Sequence, residues 1–239
     1  MNLIEYYKKQ SDISKISKKF ADRFGDTPNE IVVQVRKKLI HPCENPYNFD
    51  DKNWPRLPTG KDIEKAFTEQ QFAFGTCRAF TLACVAIMRA KGIPARGRCG
   101  FANYFNAGSY EDHWVVEYWD NGKWKLADAQ KMRLNLTSGQ FINGATAWKL
   151  VRNFGFDSNL FGFSGQAFQN HGLGYVIKNM IRDASGLLKS ELNYLSSVSI
   201  DNKIKKLTNS DYADLDKISD MILSEDIVGL HNIDFSEFE

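Results

Sequence analysis

Three residues have the types and the order that nucleophilic acyl chemistry requires: Cys77, His113 and Asp128. Such chemistry needs a thiolate to attack a carbonyl carbon. It needs a base that takes the thiol proton and returns it to the leaving group, and a third group that orients the base. Cys77 follows Phe74-Gly75-Thr76 and opens a run in which Phe80, Cys84, Ile87 and Met88 recur at helical spacing, predicting one buried stripe. Gly75 supplies backbone freedom for the turn, and the Thr76 hydroxyl is expected to cap the first turn. Arg89 and Lys91 suit the negative end of the helix, and Gly92 and Pro94 stop it. Cys77 is then the first helical residue, where the positive end of the dipole favours thiolate over thiol and free amides can receive an oxyanion.

The other two residues are joined by the clearest hairpin signal in the chain. His113 to Trp119 and Trp124 to Asp128 are apolar-rich runs around Asp120-Asn121-Gly122-Lys123, and Asn-Gly favours a two-residue type I′ turn. That turn sets Asp120 opposite Lys123, Trp119 opposite Trp124 and Val115 opposite Asp128. Alternation then puts His113, Val115, Glu117 and Trp119 on one face with Asp128, Leu126 and Trp124. His113 becomes the diagonal neighbour of Asp128, at a separation that polar side chains can span. The Trp119–Trp124 pair reads as a stabilising cross-strand contact.

The bulk properties bound what surrounds these residues. The 239-residue chain, 43% hydrophobic and 25% charged, is long enough for a sizeable core. A net charge of +2 makes neither nucleic acid nor membrane the expected partner. The last forty residues carry ten acidic side chains against four lysines, a net −6 that leaves +8 for the remainder. Solvated helical faces account for that asymmetry. The four cysteines, Cys43, Cys77, Cys84 and Cys99, form no CxxC or Cys/His cluster, so no metal and no cofactor is expected. Neither a signal-peptide core nor an apolar run long enough to span a bilayer is present, and a reducing cytoplasmic setting is expected.

Along the chain, residues 1–24 predict helix, and Gly25-Asp26-Thr27-Pro28 breaks it before a second helix from Asn29 to Leu39. Residues 41–60 hold four of the six prolines and read as a long loop or cleft wall. Lys61–Gln71 predicts a short helix, Ile93–Phe101 a strand, and Asn103–Asp112 a loop exposing Tyr104 and Tyr110. Trp148–Phe154 and Gly174–Leu195 predict helix, and Phe161–Gly165 loop. The expected organisation is a helical flank and cleft loop over 1–60, a catalytic core over 61–135, and a loop-rich then helical flank over 136–239, packed as one domain.

Four segments also carry a resemblance: Gly75-Thr76-Cys77-Arg78-Ala79-Phe80, Gly92-Ile93-Pro94-Ala95-Arg96, His113-Trp114-Val115-Val116-Glu117 and Trp124-Lys125-Leu126-Ala127-Asp128. In order and spacing they resemble the successive motifs of the transglutaminase-like superfamily, over about residues 70–130. Trp114 stands where alanine is common, and Ala129 where proline often follows the aspartate. The flanks resemble those of bacterial members. The resemblance implies an α+β, papain-like core, with a nucleophile-bearing helix packed on an antiparallel sheet. It also implies acyl transfer through a thioester, with Cys77, His113 and Asp128 as the triad. Water as acceptor makes the enzyme a peptide or amide hydrolase, the reading adopted by analogy with bacterial relatives. An amine acceptor would make it a transglutaminase, and a non-catalytic scaffold is the third reading. The expected partner is a peptide, protein or small amide substrate.

Secondary site candidates follow. Gln71, six residues before Cys77, has the spacing of a papain-type oxyanion glutamine, with Gln70 and Trp54 as rivals. Trp114, Tyr104 and Trp54 are candidates for the substrate cleft, although core or loop packing is the alternative for Trp114 and Tyr104. Cys84 and Cys99 read as buried small hydrophobes, and His41, His171 and His231 as structural or surface residues.

Overall fold

A computed structural model describes residues 1–44, 57–164, 169–191 and 207–235. The chain is α+β and divides into two compact units: Met1–Gly97 with Trp114–Leu136, and Arg98–His113 with Thr137–Glu239.

The first unit is built around helix α5. Before it come α1 (Leu3–Lys8), α2 (Lys18–Ala21), α3 (Pro28–Lys38), strand β1 (Leu39–Ile40), α4 (Gly60–Glu69) and β2 (Ala73–Phe74); α5 is Cys77–Ala90. Residues 1–24 form two short helices rather than one, each opened by a capping side chain, Asn2 and Ser17. Helix α3 starts as its sequence requires: Thr27 and Glu30 form a reciprocal capping box with Pro28 at the first position. Thr59 and Asp62 do the same for α4. The predicted stripe on α5 is too narrow. Every residue from Cys77 to Arg89 is buried, because side chains from α1, α2, α3 and α4 all lie against this helix. Even Arg89 is inside, its Nε donating to the Ala95 carbonyl at 2.8 Å and its Nη1 to Ser14 Oγ at 3.1 Å.

Strands β3 (Ala95–Ala102) and β4 (Tyr110–Asp120) contribute residues to each unit. In the first unit β4 pairs antiparallel with β5 (Lys123–Asp128), and β5 with β6 (Arg133–Leu136), which the sequence reading missed. The β4–β5 register is the predicted one, from Asp120–Lys123 through Trp119–Trp124 to Val116–Ala127. Asn121 and Gly122 both take positive φ, as a type I′ turn demands. The Trp119 and Trp124 rings meet edge-on at 5.4 Å. Strand β4 begins at Tyr110, three residues before the predicted start.

In the second unit β3 pairs with β7 (Phe141–Asn143). The start of β4 pairs in parallel with β8 (Phe161–Ser164), which in turn pairs with β9 (Gln169–His171). Phe161–Ser164 is therefore strand where loop was predicted, its Phe161 ring stacked on Tyr110 at 4.9 Å. Helices α6 (Gly144–Phe154), α7 (Leu173–Leu187), α8 (Asn209–Leu223) and α9 (Ile227–His231) complete the unit. Arg98 and Asp183 form a buried bidentate pair, two contacts of 2.8 Å, that ties β3 to α7. Gly144 lets α6 meet α7, since a Cβ there would fall on the backbone of Asn179 and Met180. Gly144→Ala is therefore expected to cost about 1–3 kcal/mol, whereas Gly139→Ala, with nothing nearer than 3.7 Å, is expected to be neutral. Thermal denaturation of the two variants checks this, and equal melting points would contradict it.

Candidate active site

Cys77 is delivered by a short, pinned approach. Strand β2 pairs in parallel with β1, Leu39 to Ala73 and Ile40 to Phe74. The Gly75 amide then donates to the Ile40 carbonyl at 3.0 Å, and α5 begins two residues later. Gly75 does not adopt positive φ. Its role is space: a Cβ would stand 2.7 Å from that of Ala79 and 3.3 Å from Leu39 Cδ2. Thr76 is the N-cap residue, but its hydroxyl makes no capping bond. Its carbonyl instead accepts from the Ala79 and Phe80 amides at 2.8 and 3.2 Å. Burial on every side, rather than a side-chain cap, holds this helix start. Arg78 adds a strap from the helix to the preceding segment, donating to the carbonyls of Leu57 and Pro58 at 3.3 and 2.9 Å. Cys77 itself is 6% exposed.

Asp128 ends β5 in the same unit and is fully buried. Its Oδ1 accepts from the Lys131 amide at 2.9 Å, which fixes the carboxylate within the turn to β6. Cys84 feels that charge: burial first, and Asp128 second, push its thiol far above the ordinary range. Cys84 is thus the inert buried thiol expected of it. Cys43 differs. It is free and its surface is exposed, yet nearby protein partly desolvates the thiol and raises it, with Cys77 and Glu44 adding to the shift. Glu44 bridges Arg36 and Lys131, each at 3.0 Å. Burial pushes its carboxyl up, but Lys131 and Arg36 outweigh that and hold it below the usual range.

His113 lies in β4, in the second unit, and is 2% exposed. Its neighbour Asp112 is tied to α7: the Tyr175 hydroxyl donates to Oδ2 at 3.1 Å and Asn179 Nδ2 to Oδ1 at 2.8 Å. Asn179 Nδ2 also donates to the Gly100 carbonyl on β3 at 2.9 Å, and its Oδ1 accepts from Arg182 at 2.9 Å. Burial pushes the Asp112 carboxyl up, with Arg182 the main counterweight. On the ring itself, Phe105 and Tyr104 stand edge-on to the imidazole at 4.9 and 6.3 Å. Sequence reasoning missed Phe105 and the Asp112 network. Phe105 could have been found as the partner of Tyr104 in an otherwise small, polar loop. Tyr175 and Asn179 are 63 and 67 residues away from Asp112 and left no local signal.

The secondary candidates fare unevenly. Tyr104 and Tyr110 are half-buried, not exposed. Trp114, offered as a cleft residue, is 1% exposed and belongs to the interior, because it alternates with residues of a strand buried over most of its length. Gln71 is exposed, and only its backbone is engaged, its carbonyl accepting from Lys38 at 3.4 Å. Its rival Gln70 is the C-cap of α4. Trp54 lies outside the described residues. Among the described residues no group of three or more His, Cys, Asp or Glu side chains is arranged to hold a metal ion. Among the described residues no helix is long and apolar enough to cross a membrane. A cavity of about 360 Å³ beside Glu117, Trp124, Leu126 and Leu136 contains none of the candidate groups.

A model of the transglutaminase-like superfamily matches the chain from residue 18 to residue 129. The similarity to the transglutaminase-like superfamily thus spans a little under half of the chain. The matched region begins well before the motifs read from the sequence and takes in α2, α3 and α4. Cys77, His113 and Asp128 all fall within it. No curated protein matches the chain. Among solved structures, a Cytophaga hutchinsonii protein provisionally described as a cysteine protease is 20% identical, with a TM-score of 0.43. That match covers 59% of this chain and 46% of the other, so less than half of that protein's length is represented.

Proposed function

We propose that this chain is a cysteine hydrolase of a peptide or other amide bond, with Cys77 as nucleophile, His113 as base and Asp128 as the group that orients it. The observation that carries the reading is Cys77 as the first residue of α5, behind a rigid turn, inside a transglutaminase-like core. The imidazole takes the thiol proton as Sγ attacks the carbonyl carbon. Backbone amides at the start of α5 are suited to the oxyanion. When the tetrahedral intermediate collapses, the C–N bond breaks and the leaving amine takes the proton from the imidazolium. A thioester remains on Cys77. Water, deprotonated by the same imidazole, then breaks the C–S bond and restores the thiol. Four free cysteines suit a reducing compartment for such an enzyme. Residues 61–135 would supply the reacting groups and the flanks would support them.

Peptide 4-nitroanilides and activated thioesters, supplied with and without hydroxylamine, test the reaction. Asp128→Asn is expected to lower kcat by about 10⁴-fold, because an amide no longer selects the productive imidazole tautomer. Release of acid alone identifies a hydrolase. Preferential formation of the hydroxamate at low hydroxylamine would favour the amine-acceptor reading. An unchanged rate in Asp128→Asn would overturn the triad.

A further inference from the structure

We propose that Tyr104 and Phe105 select the leaving group, so that the preferred substrates are amides whose amine carries an aromatic or large aliphatic side chain. This rests on His113 being the base. The two rings belong to residues 103–109, between β3 and β4, a stretch of small and polar residues apart from this pair. They stack on one another at 5.1 Å and 26°, and both turn their edges or faces to the His113 ring.

The segment is built, not slack. The Asn103 amide donates to the Gln140 carbonyl at 3.1 Å, and Asn103 Nδ2 to the Gly139 carbonyl at 2.6 Å. At the other end, buried Glu111 accepts from Asn106 Nδ2 at 3.0 Å and Ser109 Oγ at 3.2 Å through Oε1, while its Oε2 accepts from the Ser164 amide at 2.9 Å. Gly108, at φ 82°, makes the return bend. Both aromatic rings nevertheless remain partly exposed, so each keeps apolar surface for a ligand.

The chemistry of the base says which part of a substrate meets that surface. The imidazolium must give its proton to the departing nitrogen, at about 2.6–3.2 Å. The substituent on that nitrogen therefore runs beside whatever flanks the imidazole, and Tyr104 and Phe105 flank it. The acyl portion, bonded to Sγ, has no such obligation. In reverse, an amine attacking the thioester forms a C–N bond and breaks the C–S bond, passing its proton through the imidazole to sulfur. It must occupy the same position, so acceptor preference reports the same surface.

The test acylates the enzyme with one activated thioester and measures competition between phenylalaninamide, leucinamide, glycinamide and aspartamide for the acyl group. Wild type is expected to use phenylalaninamide and leucinamide at least about tenfold better than glycinamide, the scale on which an apolar pocket discriminates. Phe105→Ala and Tyr104→Ala should each collapse that ratio, and Phe105→Leu should keep the preference for leucinamide. Equal use of the amines by wild type, or an undiminished ratio in both alanine variants, would overturn the inference while leaving the triad standing. Failure of the thioester to acylate Cys77 would overturn the triad and the inference together.

Discussion

Cys77→Ala is expected to reduce turnover by at least about 10⁴-fold while leaving the melting temperature within a few degrees of wild type. Alanine removes the atom that would hold the acyl group, and no other thiol can replace it. Cys84 is sealed in the core with its thiol far above the ordinary range, and Cys99 is fully buried in β3. Cys43 is exposed, but its thiol is raised, and it sits on a short helical turn, Pro42–Glu44, rather than at the start of a long helix. The structural cost is small because Cys77 loses one sulfur at the edge of the core, about 1 kcal/mol, or 2–4 °C for a chain of this size. Cys77→Ser keeps the volume and should also be nearly inactive. Steady-state assays with the thioester substrate and thermal melts decide the matter, and a Cys77→Ala enzyme with more than a few per cent of wild-type turnover would remove Cys77 from the mechanism.

Glu117→Leu is expected to destabilise the protein by about 3–5 kcal/mol. Arg96 is fully buried. Its Nε donates to Glu117 Oε2 at 2.6 Å, and its guanidinium lies 4.1 Å from the Trp124 ring centroid and 4.9 Å from that of Tyr7. Tyr7 in turn meets Trp124 edge-on at 5.7 Å, so α1 is fastened to the β4–β5 hairpin through this cation. Removing the carboxylate takes its 2.6 Å acceptor from a buried charge, and a fall in melting temperature of roughly 6–20 °C follows. Replacing both residues, Arg96→Met with Glu117→Leu, should recover much of the loss, because an apolar pair of similar volume needs no desolvated ions. A double variant no more stable than Glu117→Leu would show that the pair does not act as a unit.

Those two residues also mark what could be read from the sequence. Arg96 and Glu117 were visible only as the last letters of two family motifs; that they bind each other is a fact of strand proximity. The hairpin was legible over its turn and five pairs, because Asn121-Gly122 dictates both turn type and register, and every pair from Asp120–Lys123 to Val116–Ala127 obeys it. Helix α5 was legible in extent but not in environment, since one face of a helix does not announce that helices will cover the others. The short strands β6, β7 and β8 escaped notice because each is three or four residues long, with no room for a period to show. Thr76 misled because a good capping residue in the right position need not use its hydroxyl when its carbonyl already closes the turn. Cys77, His113 and Asp128 were legible as types at spacings, whereas the loop pair Tyr104–Phe105 and the Asp112 network needed the fold.

The central claim, that Cys77 is an activated nucleophile served by His113, is tested most directly by timed iodoacetamide labelling at pH 6 of wild type, Cys77→Ala and His113→Ala, read by intact mass and peptide mapping. The account predicts a first adduct on Cys77, although Cys43 is the more exposed thiol, and it predicts that His113→Ala slows that adduct about tenfold or more. Labelling of Cys43 ahead of Cys77, or a Cys77 rate indifferent to the loss of His113, would contradict it.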